Sequence, residues 1–71
     1  MPDKKIYLVS DRVKAKRDVL DMIKKDVEYT IYLEENNLGT LMYYLKDDNG
    51  KKANAGWGFK TYELELHFDK I

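Results

Sequence analysis

The sequence predicts an α+β fold, a two-layer sandwich with one helix packed on a four-stranded, mostly antiparallel sheet in the order β-α-β-β-β. Three observations carry that expectation. The run Tyr62-Glu63-Leu64-Glu65-Leu66-His67-Phe68-Asp69 alternates apolar and polar residues throughout, as a strand with one buried and one wet face does. Between Asp11 and Asp26, Val13, Ala15, Val19, Leu20, Met22 and Ile23 gather on one half of a helical wheel. Finally, Asn36-Asn37-Leu38-Gly39 and Asp47-Asp48-Asn49-Gly50 carry turn chemistry, because Asn, Asp and Gly tolerate positive φ at low cost.

Taken in order, Lys4–Ser10 reads as a first strand, with Ile6 and Leu8 inward and Lys5, Tyr7 and Val9 outward. Ser10 or Asp11 supplies a side-chain oxygen to cap the helix that follows. The helix runs from Asp11 to Asp26, and its other half carries Lys14, Arg17, Asp18, Asp21, Lys24 and Lys25. Lys14–Asp18, Arg17–Asp21 and Asp21–Lys25 are spaced as i,i+4 ion pairs, each supporting a helix by a few tenths of a kcal/mol, about 0.2–0.5. Lys16 falls in the apolar half and has to snorkel outward.

The second strand is Val27–Glu35, with Val27, Tyr29, Ile31 and Leu33 inward and Glu28, Thr30, Tyr32 and Glu34 outward. Thr40–Lys46 returns as its hairpin partner, placing Leu41, Tyr43 and Leu45 inside and Met42, Tyr44 and Lys46 outside. Lys51–Gly58 reads as a loop or an irregular return strand, and the final strand covers Phe59–Lys70. A helix-containing crossover makes the first two strands parallel, and hairpins make the later ones antiparallel. The expected core is Ile6, Leu8, Val13, Leu20, Ile23, Tyr29, Ile31, Leu33, Leu41, Tyr43, Leu45, Leu64, Leu66 and Phe68.

Seventy-one residues make a single small domain, near the size where one core is only marginally stabilising. The chain has no cysteine, so neither disulfides nor a thiolate metal site can reinforce it. The apolar run Ile6-Tyr7-Leu8-Val9 is too short for a secretory signal, and no stretch approaches a membrane span. A cytoplasmic protein without membrane contact is expected. Formal charges cancel overall but not locally. Residues 1–26 carry eight basic against five acidic side chains, and residues 27–71 the reverse. That polarity can steer a charged partner, yet it lacks the basic field of a typical nucleic-acid binder.

Chemistry has few candidate residues. Glu63, Glu65, His67 and Asp69 share the wet face of the expected last strand, a spacing that any solvent-facing strand produces, so no metal site is assigned. With one serine, one histidine and no cysteine, a nucleophile–base–orienter set has almost no members, and the chain reads as non-enzymatic, with no cofactor. Gly56-Trp57-Gly58 matches no phosphate-cradling fingerprint. Trp57 either inserts into a partner or folds back over an open end of the core, and the shortage of apolar mass favours folding back.

One helix covers one face of the sheet, so the other face stays open and displays Tyr7, Val9, Tyr32, Met42 and Tyr44 among Glu28, Glu34, Glu63, Glu65, His67 and Asp69. An exposed apolar patch on a small protein marks a contact surface, although tyrosine is also an ordinary strand residue. The acids on that face argue against nucleic acid, whose phosphates they would repel. The sequence thus points to a protein-binding module acting on another protein through this face. Its candidate partner-binding residues are Tyr7, Tyr32, Met42, Tyr44 and Trp57. Small, cysteine-free chains of this kind are often inhibitor or accessory products of phages and mobile elements. Two rival readings are a nucleic-acid-associated protein using the basic helix face, and a structural homo-oligomer subunit, such as a homodimer, whose patch pairs with itself. The β-α-β-β-β order is shared by too many unrelated domains to choose among them.

Overall fold

The computed structural model describes residues 7–19 and 23–71. It is an α+β protein built on one curled, five-stranded sheet. The strands are β1 (Arg12–Ala15), β2 (Glu28–Asn37), β3 (Thr40–Lys46), β4 (Phe59–Lys60) and β5 (Phe68–Lys70), in the spatial order β4-β3-β2-β1-β5. Every pairing is antiparallel. A 3₁₀ turn at Ala53–Gly56 precedes β4, and a short helix, α1 (Thr61–His67), joins β4 to β5. The expected four strands in β-α-β-β-β order are therefore corrected on both counts.

Helix and strand have exchanged places. Where the wheel predicts a helix over Asp11–Asp26, Arg12-Val13-Lys14-Ala15 forms β1 instead, with Val13 and Ala15 buried and Arg12 and Lys14 exposed. Val13 and Ala15, two apart, share one face of a strand but lie about 200° apart on a wheel, at the limits of its apolar half, and here both of the strand's edges find hydrogen-bonding partners, β2 and β5. Val19 and Ile23, which the wheel stacks one turn apart, pair as an antiparallel bridge. Asp18 consequently accepts the Lys25 amide at 2.7 Å. Ser10 and Asp11 cap no helix: Ser10 has φ 83°, and Asp11 Oδ2 accepts the Leu8 amide at 3.0 Å, closing a turn.

The reverse error falls on the last run, where Thr61–His67 is helical rather than extended. Leu64 and Phe68 are four apart, a spacing that keeps both on one side of either a strand or a helix. Leu66 separates the two structures: it is 52% exposed, whereas Leu64 is fully buried. At the helix start, Glu63 Oε1 accepts the Lys60 amide at 2.8 Å, which satisfies one orphan donor.

The first predicted strand falls partly outside the described residues, as Lys4, Lys5 and Ile6 do. Of the rest, Tyr7 is buried and Leu8 and Val9 are exposed, so the expected facing of Tyr7 and Leu8 is inverted. Leu20 also lies outside the described residues. Leu8, Leu33 and Leu66, expected in the core, are all exposed, and Leu41 is half-buried. Tyr7, Ala15, Ala53 and Phe59 join the core unannounced.

The hairpin itself matches expectation. Leu38 and Gly39 both take positive φ between the paired residues Asn37 and Thr40, the two-residue turn whose twist suits antiparallel strands. One irregularity alters its faces. Ile31 pairs with Leu45 but Leu33 pairs with Tyr44, so Tyr32 is an extra residue in β2. Beyond this bulge the alternation changes phase. Leu33 stands opposite Tyr44, and Glu34 stands opposite the fully buried Tyr43.

The core fills the concave side of the curl. Phe59 on one edge strand and Phe68 on the other meet edge to face at 5.6 Å between centroids, and Phe68 meets Tyr29 likewise at 5.8 Å. Tyr7 packs against Tyr43 at 5.8 Å. Truncating Leu64 therefore tests the helix directly. Leu64→Ala is expected to lower unfolding free energy by about 2–5 kcal/mol, and Leu66→Ala by less than about 0.5 kcal/mol. Equal losses in urea denaturation would mean that the segment is a strand with both leucines inward.

Candidate protein-binding face

The outer face of the β2–β3 hairpin is assembled by the bulge. With Tyr32 and Leu33 both opposite Tyr44, the two tyrosine rings lie 6.3 Å apart, tilted by 56°. Met42, two residues along β3, pairs with Glu35 on one side and Lys60 of β4 on the other. Gly58 approaches this group closely. A Cβ there would sit 3.0 Å from Tyr44 Cζ and 3.2–3.3 Å from Met42 Cε and Cβ, so the bare backbone fills the space beside both side chains. Trp57 precedes Gly58 on the chain and is 73% exposed, and Leu33 is 42% exposed.

Of the five candidate residues, Tyr32, Met42 and Tyr44 are thus brought onto one face, and Trp57 adjoins it through Gly58. Trp57 does not fold back over the core. Tyr7 is a correction: buried against Tyr43, it belongs to the opposite side of the hairpin. Leu33 is the residue that alternation misses, because no sequence signal marks the bulge that turns it outward.

The charge of the face also departs from expectation. Glu63 and Glu65 lie on α1 and Asp69 on β5, while Glu28 pairs with Arg12 at 2.9 Å. Glu34 is opposite an inward residue. What remains beside the rings is Glu35, which accepts a hydrogen bond from the Tyr44 hydroxyl at 2.6 Å. Lysines replace the missing acids: Lys46 and Lys52 place their ammonium groups 5.8 and 6.0 Å from the Tyr32 centroid. Such contacts contribute about 0.5–1 kcal/mol each at exposed sites. The His67 strip is dispersed as well. Among the described residues no group of three or more His, Asp or Glu side chains is placed to hold a metal ion.

The segment that presents Trp57 is conformationally costly. Asn54 and Ala55 adopt left-handed φ/ψ of 54/40° and 52/30°, and Gly56 has φ 88°. For Ala55 this costs roughly 1–2 kcal/mol. The Trp57 amide closes the turn on the Asn54 carbonyl at 2.9 Å. Strain of this sort persists where the surroundings demand it, and it concentrates at binding sites.

No family model matches the chain, and neither does any curated protein or solved structure. Among the described residues no helix is long and apolar enough to cross a membrane.

Two phenols are displaced from their ordinary value. The hydrogen bond to Glu35 raises the Tyr44 pKa, with desolvation and the charge of Glu35 adding to it. Burial raises Tyr7, helped by the charges of Glu65 and Asp69. Both shifts favour the protonated phenol in the folded state. Their contribution is complete below the unfolded phenol pKa of about 10 and is lost as pH rises through the raised folded values. Glu35→Gln is expected to return the Tyr44 pKa toward 10.0, because the amide cannot repel the phenolate. Ultraviolet difference titration, with Tyr44→Phe identifying the signal, measures it; an unchanged late-titrating phenol in Glu35→Gln would assign the shift to another cause.

Proposed function

We propose that the chain is a non-catalytic protein-binding module, an inhibitor or accessory protein whose contact surface is the outer face of the β2–β3 hairpin together with Trp57. The observation that carries this reading is the gathering of Tyr32, Leu33, Met42 and Tyr44 on one open face beside a tryptophan that is 73% exposed. Aromatic residues that are large, rigid and partly wet are the usual anchors of protein interfaces. A strained turn that holds Trp57 outward supports the same reading, since a domain this small would gain by burying it.

The nucleic-acid reading loses its footing, because β1 replaces the basic helix on which it depended. Base stacking is disfavoured too: two lysines lie over Tyr32 and the Gly58 backbone fills the space beside Tyr44. A second copy of the chain is the rival occupant, because an apolar face can pair with itself about a two-fold axis.

Trp57→Ala is expected to leave stability within about 0.5 kcal/mol of the parent, because the side chain is mostly exposed. Tyr32→Ser with Tyr44→Ser removes half-buried rings and is expected to cost less than the roughly 3–5 kcal/mol of one buried aromatic. Both variants should remain folded by circular dichroism and lose a protein that the parent chain captures from its native cell. Folded variants that still capture it would move the contact surface elsewhere. Sedimentation equilibrium separates the rival: self-association of the parent that vanishes in both variants assigns the face to a second copy.

A further inference from the structure

A cleft of about 140 Å³ opens between the β1–β2 connection and the segment after β3. Its floor is apolar, formed by Ile23, Val27 and Ala53. Its rim carries Lys24, Lys51 and Lys52, and neither the salt bridges nor the side-chain hydrogen bonds among the described residues engage any of these three ammonium groups. One acid, Asp47, also lines it. Asp47 Oδ1 accepts the amides of Asn49 and Lys51, each at 2.9 Å, which holds that carboxylate to its own turn. Three lysines therefore line the cleft with one carboxylate, which is committed to its own turn.

Tyr29 supplies a directional group. Its side chain is buried, and its hydroxyl oxygen accepts the Lys24 amide at 3.1 Å. A phenol that accepts a hydrogen bond still has a proton to donate, and the Lys24 amide is its one hydrogen-bond partner among the described residues. Tyr29 lines the cleft, so that proton is available to a group seated there. We propose that this cleft is an anion-binding site taking a carboxylate or phosphate group, with Tyr29 donating a hydrogen bond and Lys24, Lys51 and Lys52 supplying the charge. The volume suits such a group with a few waters, each of which occupies about 30 Å³ in the liquid.

Lys52 belongs to two surfaces: it lines the cleft and lies over the Tyr32 ring. The anion has two possible sources, a free small molecule or an acidic side chain of a protein seated on the aromatic face. The cleft stands on its own geometry, and only the second source rests on the protein-binding reading above.

Titration with sodium phosphate, followed by amide NMR and compared with sodium chloride at equal ionic strength, tests the site. Saturable shifts are expected at Lys24, Val27, Tyr29, Lys51 and Lys52. Tyr29→Phe and the exposed variant Lys51→Gln should each weaken phosphate binding about threefold to tenfold, while Lys60→Gln on the outer face leaves it unchanged. Shifts that fail to saturate, or that respond equally to Lys51→Gln and Lys60→Gln, would overturn the proposal. A capped peptide alternating leucine and glutamate then separates the sources. Binding at least about tenfold tighter than phosphate, with shifts at Tyr32 and Tyr44 that Tyr32→Ser with Tyr44→Ser abolishes, assigns the anion to a protein partner. Binding no tighter than phosphate assigns a free anion, and the cleft then survives while the aromatic face loses its acidic partner.

Discussion

The contact between Phe59 and Phe68 governs the architecture. These residues lie on opposite edge strands of a five-stranded sheet, yet their rings meet at 5.6 Å. They can do so only if the sheet curls until its edges face each other. Curling lets one sheet enclose its own core, so a 71-residue chain needs no second layer to bury Val13, Ile31, Leu45 and Tyr43. The length of α1 follows from the same requirement. Seven helical residues rise about 10 Å, which carries the chain from β4 to β5 across the open side, with Leu64 pointed inward. Both edges are short, two and three residues, and so offer little template for pairing with another chain.

If the curl makes the core, the bulge makes the outer face. One extra residue at Tyr32 shifts the phase of everything after it, sending Leu33 out and Glu34 in. That shift concentrates apolar area on the hairpin's outer side and removes an acid from it. The dispersal of Glu63, Glu65 and Asp69 onto α1 and β5 has the same effect by a different route. A face that reads from the alternation as aromatic and acidic is, in three dimensions, aromatic and fringed by lysine. The electrostatic case against a negatively charged partner lapses with it.

Much of this was legible in the sequence where local chemistry is strong. The β2–β3 hairpin follows from its turn residues and alternation, and Tyr29, Ile31, Tyr43 and Leu45 fall inside as expected. Tyr32, Met42 and Tyr44 were legible as a face for the same reason. Elsewhere the pattern is degenerate. Leu64 with Phe68 is compatible with either period, and Val13 with Ala15 is the strand pair inside a longer stretch whose apolar residues also gather on half a wheel, so long-range partners decide. β1 becomes a strand because β2 and β5 flank it, which no window of the sequence contains. Tyr7 is drawn inward by Tyr43, and Leu33 is turned outward by a bulge with no composition signature. The lysine cleft was equally hidden, since it joins residues more than twenty positions apart.

The connection from Asp47 to Gly58 ties these surfaces together. Sequence alone leaves it as a loop or an irregular strand, but its backbone is held at several points. Asp47 donates its amide to the Lys51 carbonyl and accepts that of Gly50, Lys52 bridges to Lys46, and Ala53 is buried in the core. Its first part places Lys51 and Lys52 at the cleft; its second part, after the left-handed turn, places Trp57 and Gly58 at the aromatic face. Ala53 is the pivot between them. Because the same short segment supports both surfaces and Lys52 touches each, a ligand that displaces Lys52 from the Tyr32 ring changes the charge presented on the hairpin. On the two proposals above, an anion in the cleft and a protein on the face would draw on one ammonium group, and linkage would make the effect of each on the other's affinity equal.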